Sequence, residues 1–446
     1  MSRAVLARLR IGPQRRTVSS VAGRTAVCVL LLALMFGTLA AGTLRSSDAL
    51  DTIGHGAGRQ VIATADLYYA LSDADIQVAT LLLYKDVGEH RRNTAHTRFE
   101  QRRAEVTEAL LQAHDLAGDD EAQRETVATI MELYGHYEEL ASRAVFLAER
   151  SDYPSGELPG PVLELYREAE DVMSGQLLPY AYNLALENGT VVRRTYDDVD
   201  SSLVLSRITV ALTSIAALAG LVWLQLHAAR RFRRVLNLGL ILATGLTLLY
   251  GVTGQIVLSS EREALTEAKV EAFDPAFALA RARAVSNSAY GDQIKYFVDP
   301  ARAQIHAQTY YDKSQTLAYL DSDNLSAYQE RVKGTDIAGL DGLLGDALVG
   351  DGPSREMAAI FRTLQNADRA MRDSGDIDEL KNVQAAYASY EGRLDELMRT
   401  HTQRFDDAVA DGERAVADFG FLLPAAFLSV IAFIVAGLVP RLREFA

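Results

Sequence analysis

Cysteine is nearly absent from the chain. The single one, Cys28, lies in an apolar run, so no intramolecular disulfide can staple the remainder, and the folded parts must be held by their own cores. Cys28 itself is expected to act as a small apolar residue. The patterns that carry most catalysis are missing too: there is no GxxxxGK[ST], no GxSxG, no HExxH, no kinase signature and no Cys/His cluster at metal spacing. Asp321-Ser322-Asp323-Asn324 opens like a calcium loop, but Leu325 and Ser326 stand where an oxygen ligand and the turn glycine belong, so helix capping is the expected role. No enzymatic activity, cofactor or metal is expected. Lysine is scarce as well, 6 residues against 39 arginines, and with the abundant alanine this is the bias of a GC-rich bacterial genome.

Charge is missing from four stretches, 25–44, 208–226, 235–258 and 419–439. At about 1.5 Å per residue each is long enough, as a helix, to cross a hydrocarbon layer of roughly 30 Å. Acid is missing from two of the flanks: residues 1–24 hold six arginines and 227–234 hold four, with no Asp or Glu, while 440–446 holds Arg441, Arg443 and Glu444. The positive-inside bias puts these three pieces in the cytoplasm, which leaves residues 45–207 and 259–418 outside. The expected localisation is the cell membrane, multi-pass, with both termini inside. The inner pieces carry +11 together, so in a chain of net charge −14 the two outer segments carry −25. That acidity argues against nucleic acid as a partner, and the basic inner face suits anionic membrane lipids. The first run exceeds the usual 7–15-residue core of a signal peptide and is expected to stay uncleaved.

The outer segments read as helices almost throughout. In the first, apolar residues at helical spacing (Leu67, Leu71, Val78, Leu82) follow a loosening at Gly54, Gly56 and Gly58. A second helix is expected over 99–116, a third from an Asp120/Gln123 capping box to about Glu149, and a fourth from Pro161 down into the second span, with an interruption at Asn188-Gly189. In the second segment breaks are expected at Asp274-Pro275 and Asp299-Pro300, a helix or pair over 301–332, a mobile glycine-rich loop over 334–352, a helix over 354–372, and a last helix opened by Asp376 and Glu379 that runs into the fourth span. The chain is thus all-α: four transmembrane helices with two extracytoplasmic domains resembling four-helix bundles, one span–bundle–span unit used twice. Ala70-Leu71-Ser72-Asp73-Ala74 lies over Ala284-Val285-Ser286-Asn287-Ser288 in a weak internal match.

Candidate contact residues follow from charge and aromaticity. Arg230, Arg231, Arg233 and Arg234, with Arg441 and Arg443, can dock a cytosolic protein or serve topology and lipid contact. Outside, Tyr290, Tyr296, Tyr310, Tyr311 and Tyr319 cluster, either on a recognition surface or half-buried between helices. Asp73 and Asp75 interrupt an apolar helix and are candidates for holding an amine-bearing ligand, with a solvated face as the plain alternative. Small residues at fourfold spacing, Ala33/Gly37/Ala41 and Ala216/Gly220, would let spans approach closely, and a homo-oligomer is open. Gly251 and Gly254 could let the third span bend.

The layout of four spans, short basic inner segments and two helical outer domains resembles the GlnX family of actinobacterial membrane proteins. So do the stretches Leu67-Tyr-Tyr-Ala-Leu-Ser-Asp-Ala-Asp75, Gln176-Leu-Leu-Pro179 and Ala280-Arg-Ala-Arg283 leading to Tyr296. The resemblance implies a non-enzymatic transducer that relays amino-acid availability from a solute-binding lipoprotein outside to a cytosolic Ser/Thr kinase, protein kinase G, inside. The alternatives are a chemoreceptor-like bundle that binds a small ligand directly and a structural or transport-accessory protein. The inner pieces are too short to form an output domain, so any intracellular response needs a partner.

Overall fold

The computed structural model describes residues 13–84, 88–232, 237–334, 341–348 and 354–443. Among these, every regular element is a helix: α1 (Pro13–Asp51), α2 (Ala57–Leu83), α3 (Gly88–Leu116), α4 (Glu121–Arg150), α5 (Gly160–Val172), α6 (Leu178–Phe232), α7 (Leu238–Thr266), α8 (Asp274–Val298), α9 (Ala303–Leu317), α10 (Leu325–Gly334), α11 (Leu343–Leu348), α12 (Ser354–Ser374) and α13 (Leu380–Arg443). The chain divides into two compact units, one made of Met1–Asp51, Arg194–Glu267 and Asp407–Ala446, the other of Thr52–Arg193 and Ala268–Asp406.

The first unit contains the apolar runs, and four helices are long and apolar enough to cross a membrane. Leu30, Leu212, Ile256 and Leu428 stand more than half exposed, an apolar surface that suits lipid tails. Inside the unit the helices meet through small residues. Gly220 on α6 faces Leu31 and Cys28 of α1, and Gly254 on α7 faces Leu39, so close that an added Cβ would lie 2.8 Å from its methyl. Gly251 likewise faces Ser214, so both glycines of the third span serve packing. Gly37 has open space instead, while an unforeseen pair, Gly239 and Gly437, brings α7 and α13 into backbone contact. Asn237 caps α7 and donates Nδ2 to the Gly437 carbonyl at 2.8 Å, and Gln225 ties α6 to the Leu240 carbonyl and to Thr244 Oγ1, each at 2.8 Å. In an apolar medium such side-chain bonds have no water to compete with them.

The second unit is a helical bundle built around α2 and α8. Both are buried over most of their circumference, as helices apolar and small-sided all round must be. Leu67, Leu71, Val78 and Leu82 are fully buried, each contributing on the order of 1.5–3 kcal/mol. The internal match brings its two copies face to face: Asn287 Nδ2 donates to Ser72 Oγ at 2.9 Å, Tyr387 donates to Asn287 Oδ1 at 3.0 Å, and Gly291 leaves room for Ile76. The two stretches of this unit, Thr52–Arg193 and Ala268–Asp406, therefore meet in a shared core, in which Ala284, Ile294, Val298 and Val383 join residues of α2 to α6.

Local signals set the helix ends. Asp120 accepts from the Gln123 amide at 3.1 Å, Asn324 from Ala327 at 3.0 Å and Asp376 from Asp378 at 2.9 Å, while Pro161 sits in the first turn of α5. The loosening at Gly54 and Gly56 is a π-helical turn, Thr52–Gly56, and another such segment, Glu267–Phe273, precedes Pro275. Three readings are revised. No break occurs at Asn188-Gly189, because Gly189 is the point where Phe277 presses on α6 and Asn188 is fully buried. The second helix starts at Gly88, well before residue 99. Part of the glycine-rich stretch is ordered: α11 buries Leu343, Leu344 and Leu348, and Gly342, at φ +120°, lies where a Cβ would meet the Leu317 carbonyl at 2.9 Å. Residues 335–340 and 349–353 lie outside the described residues.

Candidate functional site

A cavity of about 700 Å³ opens within the second unit. One wall is a stripe of α8 formed by Val285, Ser288, Asp292 and Lys295, which the 3–4–3 spacing puts on one helix face. The others are Glu170 and Asp171 at the end of α5, Ser174, Leu178 and Tyr182 beyond it, and Arg302, His306 and Lys313 on or beside α9. Met173–Leu177, between α5 and α6, is π-helical, a distortion that recurs at functional sites and here re-aims the chain at the cavity wall.

Charge under the cavity is dense and buried. Lys295, 6% exposed, sits 2.6 Å from Asp75 Oδ2 and 3.6 Å from Glu170 Oε1, and Tyr137 donates to Asp75 Oδ1 at 3.0 Å. Burial opposes the ammonium, but Asp75, Glu170 and Asp292 outweigh it and hold the Lys295 pKa well above the ordinary value. Asp299 is gripped by Arg167 through two bonds of 2.6 Å; burial works against its charge, yet Arg167 prevails and keeps the carboxyl below its usual range. Lys313 pairs with Asp292 at 2.6 Å and Arg302 with Asp171 at 2.6 Å.

Glu170 differs from these. Of the buried carboxylates described in this unit, Asp368 receives Gln293, Gln329 and Arg372, and Asp73, Asp75, Asp292 and Asp299 each have a bonded partner, whereas Glu170 accepts no hydrogen bond. Its nearest cations are the 3.6 Å Lys295 and the 3.7 Å Arg302. Burial pushes its pKa up, against the pull of Lys295. His306, 3% exposed, turns Nδ1 to Glu170 Oε1 at 3.6 Å, while its Nε2 is buried with no partner. Burial, with the Lys295 charge, lowers the His306 pKa to about 4, so the ring is neutral at physiological pH.

The residues singled out in the sequence are scattered. Asp75 belongs to this cluster. Asp73, paired with Arg102, lines a second cavity of about 410 Å³ with Tyr290, Tyr387 and Glu391, on another face of α8. Both aspartates are buried, at 6% and 2% exposure, and not on a solvated face, because α3 and α8 supply their cations. Tyr290 stacks on Tyr387 with centroids 4.3 Å apart, Tyr296 and Tyr310 flank Arg372, and Tyr311 bonds to Ser322 in the loop before α10, so these four are internal contacts. Arg230 is exposed near the end of α6; Arg233 and Arg234 lie outside the described residues, as do the side chains of Arg231, Arg441 and Arg443. Glu170, Lys295, Arg302 and His306 were not picked out from the sequence. One signal was available: in a chain with six lysines, two of them, Lys295 and Lys313, sit 18 residues apart and share this cavity.

Residues 49–197, about a third of the chain, match the family model of the actinobacterial sensor domain. No curated protein and no solved structure matches the chain. The matched segment supplies Asp75, Glu170 and Asp171, while Lys295, Arg302 and His306 come from beyond it. With four apolar helices of spanning length, the chain is a multi-pass membrane protein that resembles actinobacterial sensor proteins over residues 49–197.

Proposed function

We propose that the chain is a non-enzymatic membrane signal transducer whose helical unit of Thr52–Arg193 and Ala268–Asp406 receives an extracytoplasmic signal, and whose basic inner segments present the result to a cytosolic partner. The observation that carries this reading is the cavity: a folded core that holds a buried acid and a buried imidazole short of partners is poised to favour a ligand-bound state over an empty one. The sensor-domain match and the four apolar helices support it. In this proposal, following the resemblance to the GlnX family, the outer partner is an amino-acid-binding lipoprotein and the inner one a Ser/Thr kinase. Any such partner acts only through different affinities for two states of the chain.

The inner half of the proposal is tested by replacing Arg230, Arg231, Arg233 and Arg234 with serine and measuring co-purification of the cytosolic kinase, with the orientation of the spans checked by labelling. Removing four cations next to the membrane should cut recruitment by tenfold or more, at about 1 kcal/mol per arginine if only half of that acts on the partner. Unchanged recruitment with unchanged orientation would remove this segment from the contact.

A further inference from the structure

We infer that the cavity beneath α5, α8 and α9 binds a small organic ammonium compound, its protonated amine seated between Glu170 and His306. This deepens the sensor reading and rests on it for its purpose, though not for its chemistry.

Three observations lead there. The first is what the two buried groups lack. Glu170 Oε2 and His306 Nε2 are buried without a hydrogen-bond partner, the ring's Nδ1 lies 3.6 Å from Glu170 Oε1, and a neutral imidazole keeps one nitrogen as an acceptor. Two buried acceptors at one site call for a donor with more than one N–H, and an ammonium has three. The second is charge. The lining acids Glu170, Asp171 and Asp292 equal the lining cations Lys295, Arg302 and Lys313 in number, but Lys295 is held at 2.6 Å by Asp75 from behind the wall, Arg302 by Asp171 and Lys313 by Asp292, so no lining cation is closely paired with Glu170. The third is the remaining wall. Leu178, Pro179, Val285 and Ile305 give it an apolar side fit for a short aliphatic chain, and about 700 Å³ is the usual size of a small-molecule site.

The ammonium could belong to a simple amine or to an amino acid, and the test separates them. Full-length protein in lipid nanodiscs is titrated calorimetrically with butylamine, 2-aminobutyrate, butyrate and butanol. Binding of butylamine, of 2-aminobutyrate or of both, with none of butyrate or butanol, is the expected result, and the relative affinity of the first two tells whether a carboxylate is also read. Glu170→Gln should weaken binding by about tenfold or more, the loss of one charge-assisted contact. Ser174→Trp, at an exposed position of the rim, should block the cavity while leaving the thermal midpoint in place. No heat from either amine at millimolar concentration, binding of butyrate instead, or equal affinity in Glu170→Gln would overturn the site. Amine binding without any cytoplasmic response would defeat the sensor reading and leave the site standing, whereas a response to outside solutes without amine binding would do the reverse.

Discussion

Replacing Lys295 with methionine is expected to destabilise the helical unit by about 3–5 kcal/mol, the cost of leaving buried carboxylates without their cation. Asp75 and Glu170 are 2% and 5% exposed, and among the described residues Lys295 is the one ammonium within 4 Å of both. Methionine nearly matches the volume, so the loss is electrostatic and not a cavity. For a unit of this size the midpoint of thermal unfolding should fall by roughly 5–9 °C. The second variant decides the cause: Asp75→Asn combined with Lys295→Met keeps an acceptor for the Tyr137 hydroxyl and removes one stranded charge, and should recover a large part of the loss. Single and double variants falling equally would show that Lys295 acts through packing. A single variant within about 0.5 kcal/mol of wild type would show that these acids are not charged in the folded protein.

The second large effect is on pH. His306 has an ordinary pKa of 6.5 and a folded value of about 4. Between those values the unfolded chain takes up a proton that the folded chain refuses, so this group's stability is fully present above pH 6.5 and is lost as pH falls to 4. The gap corresponds to about 3 kcal/mol. The groups facing the ring have their own effects: Asp292 and Asp299 favour the imidazolium, and Lys295 and Lys313 oppose it. The carboxyl of Glu170, raised by burial, works in the opposite sense, since the folded protein protonates it more readily than the unfolded chain. The comparison that isolates the imidazole is therefore wild type against His306→Gln, with unfolding followed from pH 7 to pH 4. The stability difference should shift by about 3 kcal/mol in favour of the glutamine variant as the pH falls. Parallel pH curves would mean that His306 titrates normally and is open to water.

Much of the fold was legible because it rests on local physics. Apolar runs without charge, an Asp120 that reaches Gln123, a proline in the first turn of α5 and glycines that loosen residues 52–56 all act within a few residues of themselves. What escaped was whatever depends on partners far along the chain. Ser72 and Asn287 are 215 residues apart and Lys295 and Asp75 are 220 apart, and only the packing of α2 on α8 makes them neighbours. The same distance hid the burial of Asp73 and Asp75, since the solvated-face alternative for an acid in an apolar helix stands until its cation, here Arg102 or Lys295, is seen. Gly189 was misread for a related reason, since a glycine that admits Phe277 looks in sequence like one that ends a helix. The candidate cavity was invisible as a motif, because its lining comes from α2, α5, α6, α8 and α9 with no fixed spacing between them.

The central claim is that an event in the helical unit changes what the inner segments present, and photocrosslinking in native membranes tests it most directly. A photoreactive residue is placed at 230, on the exposed end of α6, and adducts are identified by mass spectrometry with and without glutamate, glutamine or 2-aminobutyrate outside the cell. The account predicts adducts to a cytosolic protein, a Ser/Thr kinase first among them, whose yield changes with the outside solute. Adducts whose identity and yield are the same under every condition would contradict it.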